Sequence, residues 1–305
     1  MSFFETLKLY LRFKLIGLMQ NLKFRLLNNE KFILIEGYPE GDNFGDALNV
    51  PLVKFLSGKK VVYSKFINEK TIEKNKKYAV IGSVIQSAKN NTIIWGAGFI
   101  KGNIENYPKE PIIHAVRGPK TRELFLQQGI KCPEVYGDPA LILPLIYNPK
   151  VEKKYTYGLI PHIVDKNSEW IISNSKKDNV LIIDLEIGKN YKKVINELKS
   201  CKYIFSSSLH GLIIAYAYDI PCRHIRISDR LIGGNFKFND FLLSIGKAER
   251  EPFLIEKNSL LEEIKAEVDY EKAEINLEQL INCCPFITNN SKEILIKEIK
   301  NDKLS

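Results

Sequence analysis

Lys202 to Ala217 reads as one folding unit: an apolar strand at Tyr203-Ile204-Phe205, a hydroxyl-rich turn at Ser206-Ser207-Ser208, and a helix beginning near Gly211. A strand delivered onto a helix is the building block of a parallel sheet, because the chain must cross over the sheet before the next strand can pair. The unit also has a chemical consequence. The first N–H groups of a helix have no intrahelical partner and sit at the positive end of its dipole, so the turn suits an anion. Serine hydroxyls add donors, and His210 adds a group that titrates near neutral pH. The alternative is serine capping of an ordinary helix beside one satisfied histidine.

The same rhythm runs through most of the chain. Short apolar runs occur at Lys31-Phe32-Ile33-Leu34-Ile35, Val61-Val62-Tyr63, Tyr78 to Gly82, Thr92 to Gly96 and Ile112 to Val116. Each is bounded by glycine, proline or charge, as strands covered on both faces should be. Helical patterns follow Phe44 and span Pro119 to Gln128, where Gly129 supplies a stop. After a polar linker at 148–154 the pattern restarts with strands at Tyr157 to Ile160, Val180 to Ile183 and Tyr203 to Phe205. This predicts an α/β protein of two Rossmann-like, doubly wound lobes. The expected divisions are an amphipathic N-terminal helix over 1–30, lobes over 31–150 and 151–255, and a helical, charged tail over 256–305. A ligand is then expected between the lobes, at the carboxyl ends of the strands.

With 305 residues the chain can bury a sizeable core in each lobe. Its net charge of +9 favours an anionic partner. The lysines are dispersed and no nucleic-acid-binding motif is present, so nucleic acid is not expected. Five cysteines without a CxxC spacing read as reduced thiols of a cytosolic protein. Four histidines without metal spacing give no reason to expect a metal. The N-terminal stretch does not read as a signal peptide or a membrane span. Phe4, Leu7, Leu11, Leu15, Leu18, Leu22 and Leu26 nevertheless recur at helical spacing, flanked by Lys8, Arg12, Lys14, Lys23 and Arg25. Such a helix suits an anionic membrane surface, or packs on the protein's own body.

Several polar residues fall where the cleft is expected. Asn43, Gly45 and Asp46 lie at a helix start, and Asp46 suits a general base or a helix N-cap. Arg117 follows a strand and can grip an oxyanion through parallel N–H bonds, or remain a surface arginine. His162 ends a second-lobe strand as a donor or a turn cap. Gly96-Ala97-Gly98 lacks the third glycine of a dinucleotide fingerprint, because position 101 is Lys101, and reads as a tight turn. Asp138 and Asp184 end strands, where they read as turn residues or as groups that bind at the cleft. Arg223, His224, Arg226, Asp229 and Arg230 form a charged cluster, part of which can face the same anion.

Five blocks, in order, resemble the polysaccharide pyruvyl transferase family. They are Asp42-Asn43-Phe44-Gly45-Asp46, Val116-Arg117-Gly118-Pro119-Lys120-Thr121, Gly137-Asp138-Pro139-Ala140, Ile160-Pro161-His162 and Ser206-Ser207-Ser208-Leu209-His210-Gly211-Leu212. The run Asn235-Phe236-Lys237-Phe238-Asn239-Asp240-Phe241 is similar to a bacterial branch. The resemblance implies an architecture like that of GT-B glycosyltransferases. It also implies transfer of the pyruvate unit of phosphoenolpyruvate onto two hydroxyls of a sugar in a surface-polysaccharide precursor, giving a cyclic ketal and phosphate. Phosphoenolpyruvate is the donor substrate, and no cofactor is expected. By the resemblance, Arg117 and the turn Ser208-Leu209-His210 hold the donor. His210, Asp46 and Arg117 are the expected catalytic residues. Asn43, Gly45, His162, Ser207, Ser208, Leu209, Gly211 and Lys237 are expected to bind substrate. With the basic helix, the acceptor is expected to be a polyprenyl-diphosphate-linked glycan at the inner face of the cytoplasmic membrane. A GT-B glycosyltransferase using a nucleotide sugar, and a non-catalytic glycan- or membrane-binding protein, are the competing readings.

Overall fold

The computed structural model describes residues 14–15, 17–19, 22, 29–37, 44–67, 75–88, 91–104, 107, 111–185 and 190–302. The first lobe carries β1 (Phe32–Ile35), β2 (Lys60–Tyr63), β3 (Lys77–Ala79), β4 (Thr92–Trp95) and β5 (Ile112–Ala115), with helices α1 (Phe44–Ser57) and α2 (Pro119–Gln127). The second carries β6 (Tyr155–Ile160), β7 (Val180–Ile182), β8 (Cys201–Ser206), β9 (Cys222–Arg226) and β10 (Phe253–Leu254). Its helices are α3 (Glu169–Asn174), α4 (Tyr191–Lys199), α5 (Leu209–Ala217), α6 (Phe236–Ser244) and α7 (Leu261–Ala266). Two helices, α8 (Leu277–Asn282) and α9 (Asn289–Asp302), end the described chain.

All strand pairs are parallel. The sheet orders are β2-β1-β3-β4-β5 and β7-β6-β8-β9-β10, so both lobes share one doubly wound order. In each, the winding reverses between the first and third strand of the lobe. Those gaps, β1/β3 and β6/β8, are where such sheets open a crevice for ligands. Strands β1 and β4 are buried along their whole length, which explains their unbroken apolar runs.

The lobes are fused rather than hinged at a bare linker. The 3-10 run Pro139–Leu145 is buried from Pro139 to Leu143, and it places Leu141, Ile142 and Leu143 in one core with Leu48 of α1 and Leu212 of α5. The tail divides. Helix α7 packs its Leu261 and Ile264 with Tyr157 and Phe205 of the second sheet. Helices α8 and α9 return to the first lobe, where Trp95 Nε1 donates to the Leu280 carbonyl at 2.9 Å and Ser291 Oγ donates to the Phe55 carbonyl at 2.8 Å.

Three local features go beyond the sequence reading. Helix α5 starts at Leu209, two residues before Gly211, because Ser208 takes the extended N-cap backbone. Phe253-Leu254, at the end of the expected second lobe, adds an edge strand to its sheet that the sequence reading did not mark. Helix α6 lies within 151–255 yet packs on α2 of the first lobe as well as on α5. Of the N-terminal helix, Lys14, Leu15, Gly17, Leu18, Met19 and Leu22 are helical, and the rest of that expectation lies outside the described residues. Among the described residues, no helix is long and apolar enough to cross a membrane.

Candidate active site

A cavity of 320 Å³ opens between the lobes at the carboxyl ends of both sheets. The first lobe lines it with Asp46 from α1 and with Gly82, Ser83, Val84 and Ile100. The second contributes Pro161, His162, Ile163, Lys166, Leu185, Ser208, Leu209 and His210, and α6 adds Lys237.

The turn that carries Ser208 and His210 is built by its neighbouring hydroxyls. Ser206 Oγ accepts from the Ser208 amide at 3.0 Å and donates to the Ser208 carbonyl at 2.8 Å. Ser207 N donates to the Ile160 carbonyl at 3.0 Å, while Ser207 Oγ accepts from the His162 amide at 2.8 Å. These bonds tie β8 to the end of β6 and leave Ser208 facing the cavity. Gly211 lets the first turn of α5 close on this seam, since a Cβ there would lie 2.4 Å from Ser206 Oγ. Ser208 is the N-cap residue, yet its side chain makes no capping bond. Its hydroxyl therefore does not serve the first amides of α5, and the residue lines the cavity.

His210 lies on the first turn of α5 and is 9 % exposed. Its Nε2 is buried and has no hydrogen-bond partner. Burial, reinforced by the Arg117 and Lys237 charges, pushes its pKa down to about 3. Lys237 is 8 % exposed, and no carboxylate pairs with it among the described residues. Burial and the Arg117 charge lower its pKa to about 8. His162 is shifted down too, by burial and then by Lys237. Burial, and then mutual repulsion of neighbouring positive groups, thus disfavours the charged forms along this wall.

The other sequence-selected residues take distinct places. Gly45 packs face to face with the His210 ring, because a Cβ on it would lie 2.1 Å from the imidazole. Asp46 lines the cavity, and its carbonyl accepts from Tyr63 Oη at 2.6 Å. His162 lines the cavity and also caps the following turn, Nδ1 accepting from the Val164 amide at 3.4 Å. Leu209 is part of the wall, Ser207 and Gly211 shape the turn behind it, and Asn43 lies outside the described residues.

Arg117 is placed differently from expectation. It is fully buried behind the cavity wall, with Nε donating to Asp240 Oδ2 at 2.9 Å, Nη1 to Ser83 Oγ at 2.8 Å and Nη2 to the Phe99 carbonyl at 2.7 Å. Arg117 is not among the lining residues, and each of its three guanidinium nitrogens already donates to a protein acceptor. Gly98 makes this possible, because a Cβ there would lie 2.4 Å from Arg117 Cζ. The Gly96-Ala97-Gly98 turn thus makes room for a guanidinium. Asp138 caps the Pro139–Leu145 run through Ala140, and Asp184 pairs with Lys166 at 2.5 Å. The basic cluster is largely spent on ion pairs: Arg223 with Glu267, Arg226 with Asp229 and Arg230 with Asp165. His224 instead stacks on Phe238 at 3.6 Å between ring centroids. Asp240, Ser83 and Lys166 were not singled out from sequence. Asp240 does fall inside the run from Asn235 to Phe241, which is the one signal that pointed to it.

Residues 43–229 match the profile of the polysaccharide pyruvyl transferases, which spans more than half of the chain. The chain belongs to the polysaccharide pyruvyl transferase family. It is therefore an enzyme, a pyruvyl transferase acting in polysaccharide synthesis. The transferase is 31 % identical over 235 residues to the uncharacterized protein L143 of Acanthamoeba polyphaga mimivirus, covering 75 % of this chain and 79 % of that protein. It is 28 % identical over 224 residues to the succinoglycan biosynthesis protein ExoV of Rhizobium meliloti (strain 1021), covering 68 % of this chain and 63 % of that one. A solved structure of the functionally uncharacterized protein KP1_0663 from Klebsiella pneumoniae subsp. pneumoniae NTUH-K2044 covers 81 % of this chain and 98 % of its own, at 15 % identity and a TM-score of 0.43.

Proposed function

We propose that the transferase uses phosphoenolpyruvate as donor, in the interlobe cavity of its GT-B-like pair of lobes, and forms a cyclic pyruvate ketal on a sugar with release of phosphate. The acceptor in this reading is a glycan on polyprenyl diphosphate, met at the inner face of the cytoplasmic membrane. No cofactor takes part. The observation that carries the proposal is the pairing of two buried groups in one wall. Among the described residues, His210 Nε2 has no hydrogen-bond partner and Lys237 pairs with no carboxylate, beside the N-terminus of α5. A donor with a phosphate and a carboxylate would pair with both groups.

The chemistry follows from that placement. The enol carbon of the donor gains a proton, C2 becomes oxocarbenium-like, one sugar hydroxyl adds to it, phosphate leaves and the second hydroxyl closes the ring. The two protons released by the hydroxyls balance the one gained by carbon and the one carried off by phosphate. Asp46, on the opposite wall, takes a hydroxyl proton. The bound dianion raises the basicity of His210, which then holds and returns a proton at the leaving phosphate. Lys237 offsets the phosphate charge, and Ser208 Oγ donates to it.

Phosphate release tests the proposal. The protein is incubated with a glycan acceptor and either phosphoenolpyruvate or nucleotide sugars. Acceptor-dependent release of inorganic phosphate from phosphoenolpyruvate is the expected result. Transfer from a nucleotide sugar, with none from phosphoenolpyruvate, overturns it.

A further inference from the structure

Leu15, Leu18, Met19 and Leu22 are helical residues at i, i+3, i+4 and i+7, which aligns them on one face. All four point into water, at 64, 67, 52 and 58 % exposure. The sequence around them carries Lys8, Arg12, Lys14, Lys23 and Arg25, and no acidic residue occurs between Glu5 and Glu30. We propose that this stripe is the surface by which the transferase docks on an anionic lipid bilayer, and that it brings the cavity to the bilayer.

Position supports the second half. The backbone at Gly17 lies against Phe66, with room for a Cβ only 3.0 Å from Phe66 Cδ1. Phe66 ends the turn that leaves the carboxyl end of β2, and its ring meets Tyr63 edge-on at 6.4 Å. Tyr63 Oη holds the carbonyl of Asp46, which lines the cavity. The stripe therefore sits at the edge of the first sheet onto which the cavity opens. Across the cavity, Ile163 is also half exposed on its rim.

Charge selects lipid over a second copy of the chain. The segment from Thr6 to Asn29 carries basic residues and no acidic one, so two copies of it repel. An anionic surface turns the same charges into attraction, as leucines enter the acyl boundary. The stripe is a partner site for the membrane placement proposed above, but it does not rest on the donor chemistry, and its assay contains no turnover.

The full chain is sedimented with vesicles of phosphatidylcholine, with and without phosphatidylglycerol. Binding to the anionic vesicles, weakened by salt, is the expected result. The double variant Leu18→Glu, Leu22→Glu loses at least about tenfold in partitioning, with its urea midpoint unchanged. Lys23→Gln with Arg25→Gln loses the salt-sensitive part only. The proposal fails if the intact chain does not sediment, or if the glutamate variant sediments as well as the parent. It fails equally if that variant unfolds, which makes the stripe part of a core, or if it only converts a dimer to a monomer.

Discussion

Asp240 caps α2 and holds Arg117 with one carboxylate. Its Oδ2 lies 2.8 Å from Arg117 Nη2, and both side chains are fully buried. The same group accepts from the Thr121 amide at 2.8 Å and the Thr121 hydroxyl at 2.7 Å. The N-cap residue of α2 is Gly118, which has no side chain to serve that amide. Helix α6 supplies the missing cap from the other side of the interface, and Gly118 is small enough to admit it. Lys237 lies one turn earlier on α6. The Arg117–Asp240 pair thereby sets where Lys237 stands in the cavity.

Asp240→Asn should therefore destabilise the transferase by about 3–5 kcal/mol, because it strands a buried guanidinium. Arg117→Lys should also lower stability, since an ammonium cannot reproduce the fork. The double variant Arg117→Lys, Asp240→Asn should lose less than the two single losses added together. Urea denaturation of the four proteins gives the coupling. Additive losses would show that the pair does not join the two elements.

Gly45→Ala should act as a catalytic lesion, although glycine has no chemistry. The new Cβ would overlap the His210 ring, so the imidazole must leave its place. Turnover should fall by about a hundredfold, matching His210→Ala, the usual scale for a misplaced acid or base. Helical content and the unfolding midpoint should remain close to the parent. Steady-state kinetics beside circular dichroism checks both halves. Parent-like turnover in either variant would return His210 to a packing role.

Strands such as β1 were legible because a strand covered on both faces must be apolar throughout. The place of His210 and Ser208 on the cavity wall was legible because a strand, a hydroxyl turn and a helix start follow one another directly in the sequence. The interest of Arg117 was legible, but its partners were not. A guanidinium after a strand has the same sequence whether it faces a ligand or a carboxylate 123 residues away. Asp240 was hidden for the complementary reason, since an acid inside Phe238-Asn239-Asp240-Phe241 looks like the solvated side of a helix. Only the packing of α6 across the lobes turns it inward. The spare role of Gly98 was equally hidden, because its neighbour in space is Arg117 and not the turn it belongs to.

Acid should weaken the fold through two histidines. His210 and His224 are both pushed down to about 3 by burial, and both by nearby positive charge. An unfolded histidine titrates near 6.5. Below that value the unfolded chain binds protons that the native protein refuses. Stability should thus hold above about pH 6.5 and fall as the pH drops toward 3. His224→Gln should flatten this limb, since it removes one of the two groups. Urea midpoints from pH 7 to pH 4 measure the slope. A midpoint that stays level across that range would mean that both rings are already protonated in the native state.

Donor binding should draw protons from solution. In the free protein Lys237 loses its proton near pH 8, because burial and Arg117 oppose its charge. A phosphate in the cavity reverses that balance and raises the bound-state value. Above pH 8 the free lysine is largely neutral, so binding must first take up a proton there. Affinity for phosphoenolpyruvate should accordingly fall by up to about tenfold per pH unit above 8, and stay flatter below it. His210 adds uptake at lower pH if the bound dianion lifts it from about 3 into the neutral range. Titration calorimetry in buffers of different ionisation enthalpy reads both effects as a buffer-dependent heat. Lys237→Met should remove the limb above pH 8 and weaken binding at pH 7, while leaving the His210 uptake in place. Equal heats in all buffers, with an affinity that does not change from pH 7 to pH 9, would place the phosphate away from Lys237.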